Sequence, residues 1–139
     1  MAKTEKYPKK YPQTKVVKTK TGKGVIALEE IKKGRKISQY IGYKVLNEVI
    51  DKNPNRYVFY LDEIYSLDGS PRWNPARYFN HSCVPNAESV QEGDDRIFIV
   101  AKKRIPVGTE ITFDYGKDYI RDFFKKSGCK CPKCNPSFA

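Results

Sequence analysis

Asn80-His81-Ser82-Cys83-Val84-Pro85-Asn86 holds the chain's only histidine and one of its four cysteines. Polar and turn-forming residues mix here between two apolar segments, so the stretch is not core filler. A second such mixture follows at Gly108-Thr109-Glu110-Ile111-Thr112-Phe113-Asp114-Tyr115-Gly116, and the remaining cysteines, Cys129, Cys131 and Cys134, come near the end. The expectation is that these three pieces meet around one site.

The 139 residues allow one domain with a modest core. Hydrophobic content of 39% is that of a globular chain. No run approaches the length of a membrane span, and the charged N-terminus lacks the apolar region of a secretory signal. With 27 Lys+Arg against 16 Asp+Glu, the net charge of +11 favours acidic partners, nucleic acid or proteins already bound to it. Solubility plus a basic tail explains the same number. Residues 1–20 contain seven lysines and one acid, and Met1 to about Gln13 reads as a flexible basic arm.

Glycine turns at Thr21–Gly24 and Lys32–Gly34 bracket a strand at Val25–Leu28, and Lys36–Ile41 is the next strand. Asn47–Lys52 reads as a short helix capped by Asn47 and ended by Pro54. Tyr57–Leu61 and Ile64–Leu67 read as strands, with a turn at Asp68–Pro71. Arg96–Ala101 is apolar on both faces and therefore central. Glu110–Tyr115 is a further strand, and Asp118–Lys126 a helix stopped by Gly128. One pattern occurs twice: Ala27-x3-Ile31-x2-Gly34-x2-Ile37 matches Ala101-x3-Ile105-x2-Gly108-x2-Ile111. It suggests two similar strand–turn–strand units, each delivering a tyrosine near its end, Tyr40 and Tyr115; chance is the rival explanation. The fold class is mainly β, built of short strands with one or two small helices.

Four cysteines in an intracellular-looking chain argue for metal or chemistry before disulfides. Cys129-x-Cys131-x2-Cys134 supplies three thiolates, and structural zinc takes four ligands. Cys83 is the fourth this reading selects, tying the C-terminal tail to the Asn80–Asn86 segment, with metal binding supplying the tail's folding energy. His81 is the other candidate. Reduced thiols, with Cys83 buried as a small hydrophobe, are the alternative.

Together these pieces resemble the SET-domain protein-lysine methyltransferases, from about Lys20 to Cys134. Thr21-Gly22-Lys23-Gly24-Val25 resembles the family's GxG segment and Gln39-Tyr40-Ile41-Gly42 its Y-x-G element. Asn74–Phe79 leads into an NHSCxPN signature at Asn80–Asn86, Glu110–Gly116 matches an ELTFDYG-type ending, and Cys129 onward resembles a post-SET zinc segment. Three features depart from the pattern: Tyr43 where an acid is usual, Trp73 where a glycine is usual, and an x2 final cysteine spacing instead of x4. No cysteine-rich pre-SET segment is present.

The resemblance implies several small β-sheets around a C-terminal pseudoknot with a zinc-bound tail. It divides the chain into a basic arm at 1–14, a SET domain at 15–116, and a C-terminal helix and zinc segment at 117–139. It implies S-adenosylmethionine as methyl donor on one face and a lysine channel entered from the other. Tyr115 and Tyr40 become the catalytic hydroxyls, and Phe59 and Phe113 the channel walls. Lys23, Gly24, Tyr57, Arg77, Asn80, His81, Tyr115 and Tyr119 become cofactor contacts, and Cys83, Cys129, Cys131 and Cys134 the zinc ligands. Arg77 could equally hold the fold through a carboxylate. Phe113 resembles a phenylalanine/tyrosine switch and implies di- or trimethylation.

A lysine amine must be neutral to accept a methyl group, which costs roughly 4–5 kcal/mol at neutral pH. A dry aromatic channel and a nearby positive charge both lower that cost, and ten tyrosines and seven phenylalanines supply the rings. In an extended strand Ile111, Phe113 and Tyr115 share one face, which leaves Asp114 on the other with a structural role. The substrate is a protein, a histone or another chromatin-associated chain, whose basic tail would call for local acids such as Glu88, Glu92, Asp94 and Asp95. Nucleic acid is a second partner class for the basic surface. The location is intracellular, nuclear or on chromatin in a eukaryotic cell and cytoplasmic otherwise. The competing readings are a SET-like module that has lost catalysis and binds nucleic acid, and a zinc-stabilised interaction domain.

Overall fold

The structure, a computed structural model, describes residues 11–20 and 22–115. The expected helix at Asp118–Lys126 lies outside these residues. The described chain is mainly β, in several small sheets. β1 (Thr14–Thr19) pairs antiparallel with β2 (Gly22–Ala27). β3 (Lys36–Tyr40), β9 (Arg96–Ala101) and β8 (Ala87–Glu92) form one three-stranded sheet with β9 in the middle. β4 (Tyr43–Leu46), β6 (Tyr65–Asp68) and β5 (Val58–Tyr60) form another with β6 in the middle. β7 (Asn80–His81) and β10 (Thr112–Phe113) pair in parallel. Between the strands lie α1 (Asn47–Lys52) and a 3-10 turn, Pro75–Tyr78.

The central placement of β9 follows from its consecutive buried residues Ile97, Phe98 and Ile99, which fill both faces of the sheet. β8 escapes sequence reading because Ala87-Glu88-Ser89-Val90-Gln91-Glu92 is polar; its ladder to β9 makes it a strand. β1 is masked by its lysines, with Lys18 directly opposite Lys23 across the ladder. The glycine turn expected at Thr21–Gly24 sits earlier, because Gly22, Lys23 and Gly24 already belong to β2. The last residues of the expected arm are fastened: Pro12 is buried, the Gln13 N–H donates to the Glu29 carboxylate (2.7 Å) and the Leu28 N–H to the Gln13 carbonyl (2.9 Å).

Asn47 is not the cap of α1. It is the first helical residue, and Leu46 precedes it without a side-chain cap. The Asn47 side chain instead donates to the Asp62 carbonyl (2.9 Å) and accepts from the Ser66 hydroxyl (2.5 Å), fixing the helix to β6. The strand expected over Glu110–Tyr115 shortens to Thr112–Phe113, with Glu110 held by an isolated bridge to Ile26.

The repeated pattern is physical. Ile31 and Ile105 exchange both backbone hydrogen bonds (3.0 and 2.9 Å). Around that pair the bonds are reciprocal: the Gly34 N–H donates to the Ala101 carbonyl and the Gly108 N–H to the Ala27 carbonyl, both at 2.8 Å. Likewise the Ala27 N–H reaches the Thr109 carbonyl and the Ala101 N–H the Arg35 carbonyl. Gly34 and Gly108 sit at φ +89° and +84°, which glycine adopts without steric cost. Ile31, Ile105 and Ile111 are fully buried, so the two units clasp each other through the core.

Candidate active site

The two signature segments are stitched together along their length. Beyond the β7–β10 ladder, the Asn86 amide donates to the Glu110 carbonyl (2.9 Å) and its oxygen accepts from the Thr112 N–H (3.0 Å). The Ser82 N–H donates to the Phe113 carbonyl (3.2 Å), and the Tyr115 N–H donates to His81 Nδ1 (2.9 Å). A buried asparagine that satisfies a donor and an acceptor of the facing segment fixes its register.

That register brings the predicted rings into one row. Tyr40 meets Phe59 edge to face at 4.6 Å between centroids, Phe59 stacks near Phe113 at 6.1 Å and 20°, and Phe113 meets Tyr115 at 5.0 Å. His81 closes the row against Tyr115 at 5.2 Å. Tyr40 and Phe113 are buried and Phe59 and Tyr115 partly so. The Tyr40 hydroxyl donates to the Tyr57 carbonyl (2.9 Å), and the Tyr115 hydroxyl donates to the Phe79 carbonyl. Ile111 and Phe113 are buried while Asp114 is exposed, as strand alternation requires.

Glu110, Thr19 and Asn80 pack closely against the backbone of Gly24. A Cβ there would stand 2.5 Å from Glu110 Oε2 and 2.9 Å from Asn80 Nδ2. Asn80 Nδ2 donates both to the Lys23 carbonyl (2.9 Å) and to Glu110 Oε2 (2.8 Å). The Lys23 ammonium lies over the Tyr78 ring at 5.6 Å. The Arg77 guanidinium lies over Tyr57 at 4.4 Å and Tyr78 at 5.5 Å, and its Nε is buried with no hydrogen-bond partner among the described residues. Burial raises the Tyr57 phenol, but hydrogen bonds and charge from Arg77 and Arg56 outweigh it and set the phenol below its ordinary value. Glu110, Asn86 and Tyr78 were not singled out from sequence, since their significance is in long-range partners that no local pattern encodes.

His81 is neutral. Burial lowers its pKa, and the charge of Asp114 offsets this only in part. Asp114 stands 3.8 Å from Nδ1, whereas the Tyr115 N–H occupies that nitrogen at 2.9 Å and needs its lone pair. The proton assigned by this network is on Nε2, which faces Cys83 Sγ at 3.4 Å. Cys83 is exposed, which removes the alternative of a buried hydrophobic cysteine. Among the described residues no three His, Cys, Asp or Glu side chains gather as a metal site. Cys129, Cys131, Cys134 and Tyr119 lie outside them. The two departing positions find each other: Tyr43 and Trp73 pack edge to face at 5.6 Å and 86°, both exposed. Of the suggested acids, Glu92 is engaged by Lys36 at 2.9 Å.

The family profile of the SET domain matches residues 22–116, and the chain belongs to that family. Among its relatives are human histone-lysine N-methyltransferase 2D, 35% identical over 125 positions that cover 82% of this chain. Human histone-lysine N-methyltransferase, H3 lysine-36 specific, is 31% identical over 147 positions covering 91% of it. Histone-lysine N-methyltransferase trr of Drosophila melanogaster is 39% identical over 126 positions covering 81%. The match spans only 2%, 5% and 5% of those proteins' own lengths.

Proposed function

We propose that the chain is a protein-lysine N-methyltransferase that uses S-adenosylmethionine. The observation that carries this reading is the continuous row Tyr40–Phe59–Phe113–Tyr115, which ends against His81, the neighbour of Asn80. Bound near Gly24 and Asn80, S-adenosylmethionine would supply a methyl group on a positively charged sulfur, the C–S bond breaking as lysine nitrogen forms its C–N bond. Gly24 provides the close backbone approach, Lys23 and Asn80 polar groups beside it, and Arg77 a buried Nε donor. Tyr57 and Tyr119 add aromatic surface, and His81 holds Tyr115 in place through its backbone.

The rings exclude water from the lysine tip, so the ammonium form loses solvation and its proton is shed to solvent before transfer. No general base is required. The hydroxyls of Tyr115 and Tyr40, each anchored on a backbone carbonyl, orient the neutral amine. Alignment of this kind is the main means of accelerating a direct displacement.

The relatives' names support a histone as substrate, and the charge of +11 supports action on proteins already bound to nucleic acid, with direct nucleic-acid contact a further partner class. Such a substrate places the chain on chromatin in a nucleated cell; among the described residues no helix is long and apolar enough to cross a membrane. Phe113, without a hydroxyl, leaves room for di- and trimethylation. Cys83 with Cys129, Cys131 and Cys134 would hold a structural zinc that docks residues 117–139 on residues 15–116. The test is incubation of the purified chain with S-adenosylmethionine and core histones, then with a cell's protein extract, followed by mass spectrometry. New methyl-lysine is expected. Labelled extract proteins without labelled histones would remove the substrate reading, and no methyl-lysine anywhere would remove the activity.

A further inference from the structure

Asn74 is fully buried and polar, and its amide does more than cap the turn that follows it. Capping the Pro75–Tyr78 turn uses one bond, from the Ala76 N–H to Asn74 Oδ1 at 3.2 Å. The other two go elsewhere. The same oxygen accepts from the Ile41 N–H at 3.1 Å, the peptide next to Tyr40. The Nδ2 donates to the Gly69 carbonyl at 2.9 Å. Gly69 lies flat against the Tyr40 ring: a Cβ on it would overlap Tyr40 Cε1 and stand 2.7 Å from Asn74 Nδ2. The Gly69 N–H and the Tyr40 hydroxyl both donate to one acceptor, the Tyr57 carbonyl, at 3.0 and 2.9 Å.

From this closed circuit we infer that Asn74 is a positioning residue for Tyr40: it holds the backbone on one side of the phenol and, through Gly69, the ring face and the carbonyl that receives the hydroxyl proton. The inference rests on the reading of Tyr40 as a catalytic hydroxyl. Asn74 touches neither substrate nor donor. It acts by fixing where the Tyr40 oxygen stands, and displacement of a reacting group by about an ångström costs on the order of a hundredfold in rate. A buried amide is suited to this because it satisfies two backbone donors and one backbone acceptor at once.

The test is a double-mutant cycle in the full chain with Asn74→Asp, which keeps the acceptor oxygen and loses the donor to Gly69, and Tyr40→Phe. The substrate is the protein labelled in the assay above. Asn74→Asp is expected to lower kcat by roughly tenfold to a hundredfold, to leave KM for S-adenosylmethionine unchanged, and to have no further effect once Tyr40 is phenylalanine. In protein labelled with 3-fluorotyrosine, the Tyr40 resonance, assigned by its loss in Tyr40→Phe, should shift. If Asn74→Asp does not fold, Asn74→Ser carries the same test, since its hydroxyl can still cap the turn but is too short to reach all three backbone partners. An equal loss of kcat in both backgrounds, or an unmoved Tyr40 resonance, would overturn the inference alone. Full activity in Tyr40→Phe would overturn the catalytic reading of Tyr40, and the inference with it.

Discussion

Gly24 shows how much a single position decides. Its missing side chain lets Asn80, Glu110 and Thr19 approach the backbone closely, and a methyl group would push on all three. Gly24→Ala is therefore expected to weaken S-adenosylmethionine binding at least tenfold by calorimetry while far-ultraviolet circular dichroism stays unchanged; undiminished affinity would place the donor elsewhere. Phe113 carries the proposed product multiplicity. It stands between Phe59 and Tyr115 with no polar group of its own, and Phe113→Tyr adds a hydroxyl that can hold water in the space a methylated amine needs. Mass spectrometry should show the products shifting toward monomethyl-lysine, and an unchanged distribution would count against this role. Tyr40, Phe59, Phe113 and Tyr115 were legible because they fall on family positions, and strand alternation alone put Phe113 and Tyr115 on one face. Asn74, Asn86 and Glu110 were not legible. A buried polar residue is explained by partners distant in sequence, and Asn74 reads locally as one more turn residue before a proline.

Among the elements, the two clasped units make the sharpest case. Gly34 and Gly108 occupy equivalent turns with almost equal positive φ, and neither turn would collide with a Cβ. Only backbone strain opposes substitution. Gly34→Ala and Gly108→Ala should each lower stability by about 1–2 kcal/mol in urea unfolding, and by similar amounts if the two turns are equivalent. A cost at one turn and none at the other would contradict the symmetry. The repeat, β3 and β9 could be read from sequence because glycine turns and consecutive branched residues are strong local signals. β1, β4 and β8 could not be, since each owes its strand form to a partner: β8 to β9, β4 to β6, β1 to β2. Asn47 misled for a related reason. Its residue type suits a cap, but the bonds to Asp62 and Ser66 claim the side chain.

At the scale of the whole molecule, the account joins an apolar clasp, a stitched pair of signature segments and a cysteine-bearing C-terminal segment. The proposed zinc would join that last segment to Cys83, which is exposed. Elemental analysis of the purified chain is expected to give about one zinc per molecule, and Cys83→Ser or strong chelation should lower both metal content and methyl transfer. Full activity of metal-free protein would detach zinc from function. The sheet architecture was foreseen only through the family resemblance, because short strands in small sheets carry no periodicity that selects one arrangement.

The central claim is that the aromatic row, anchored by its tyrosine hydroxyls, performs the transfer. Single-turnover methylation by Tyr115→Phe, with donor affinity measured alongside, tests it most directly. The account predicts a loss of at least a hundredfold in the transfer rate, within the range for a positioned catalytic group, with S-adenosylmethionine affinity within about twofold of the unaltered chain. Transfer at the original rate with the donor equally well bound would contradict it.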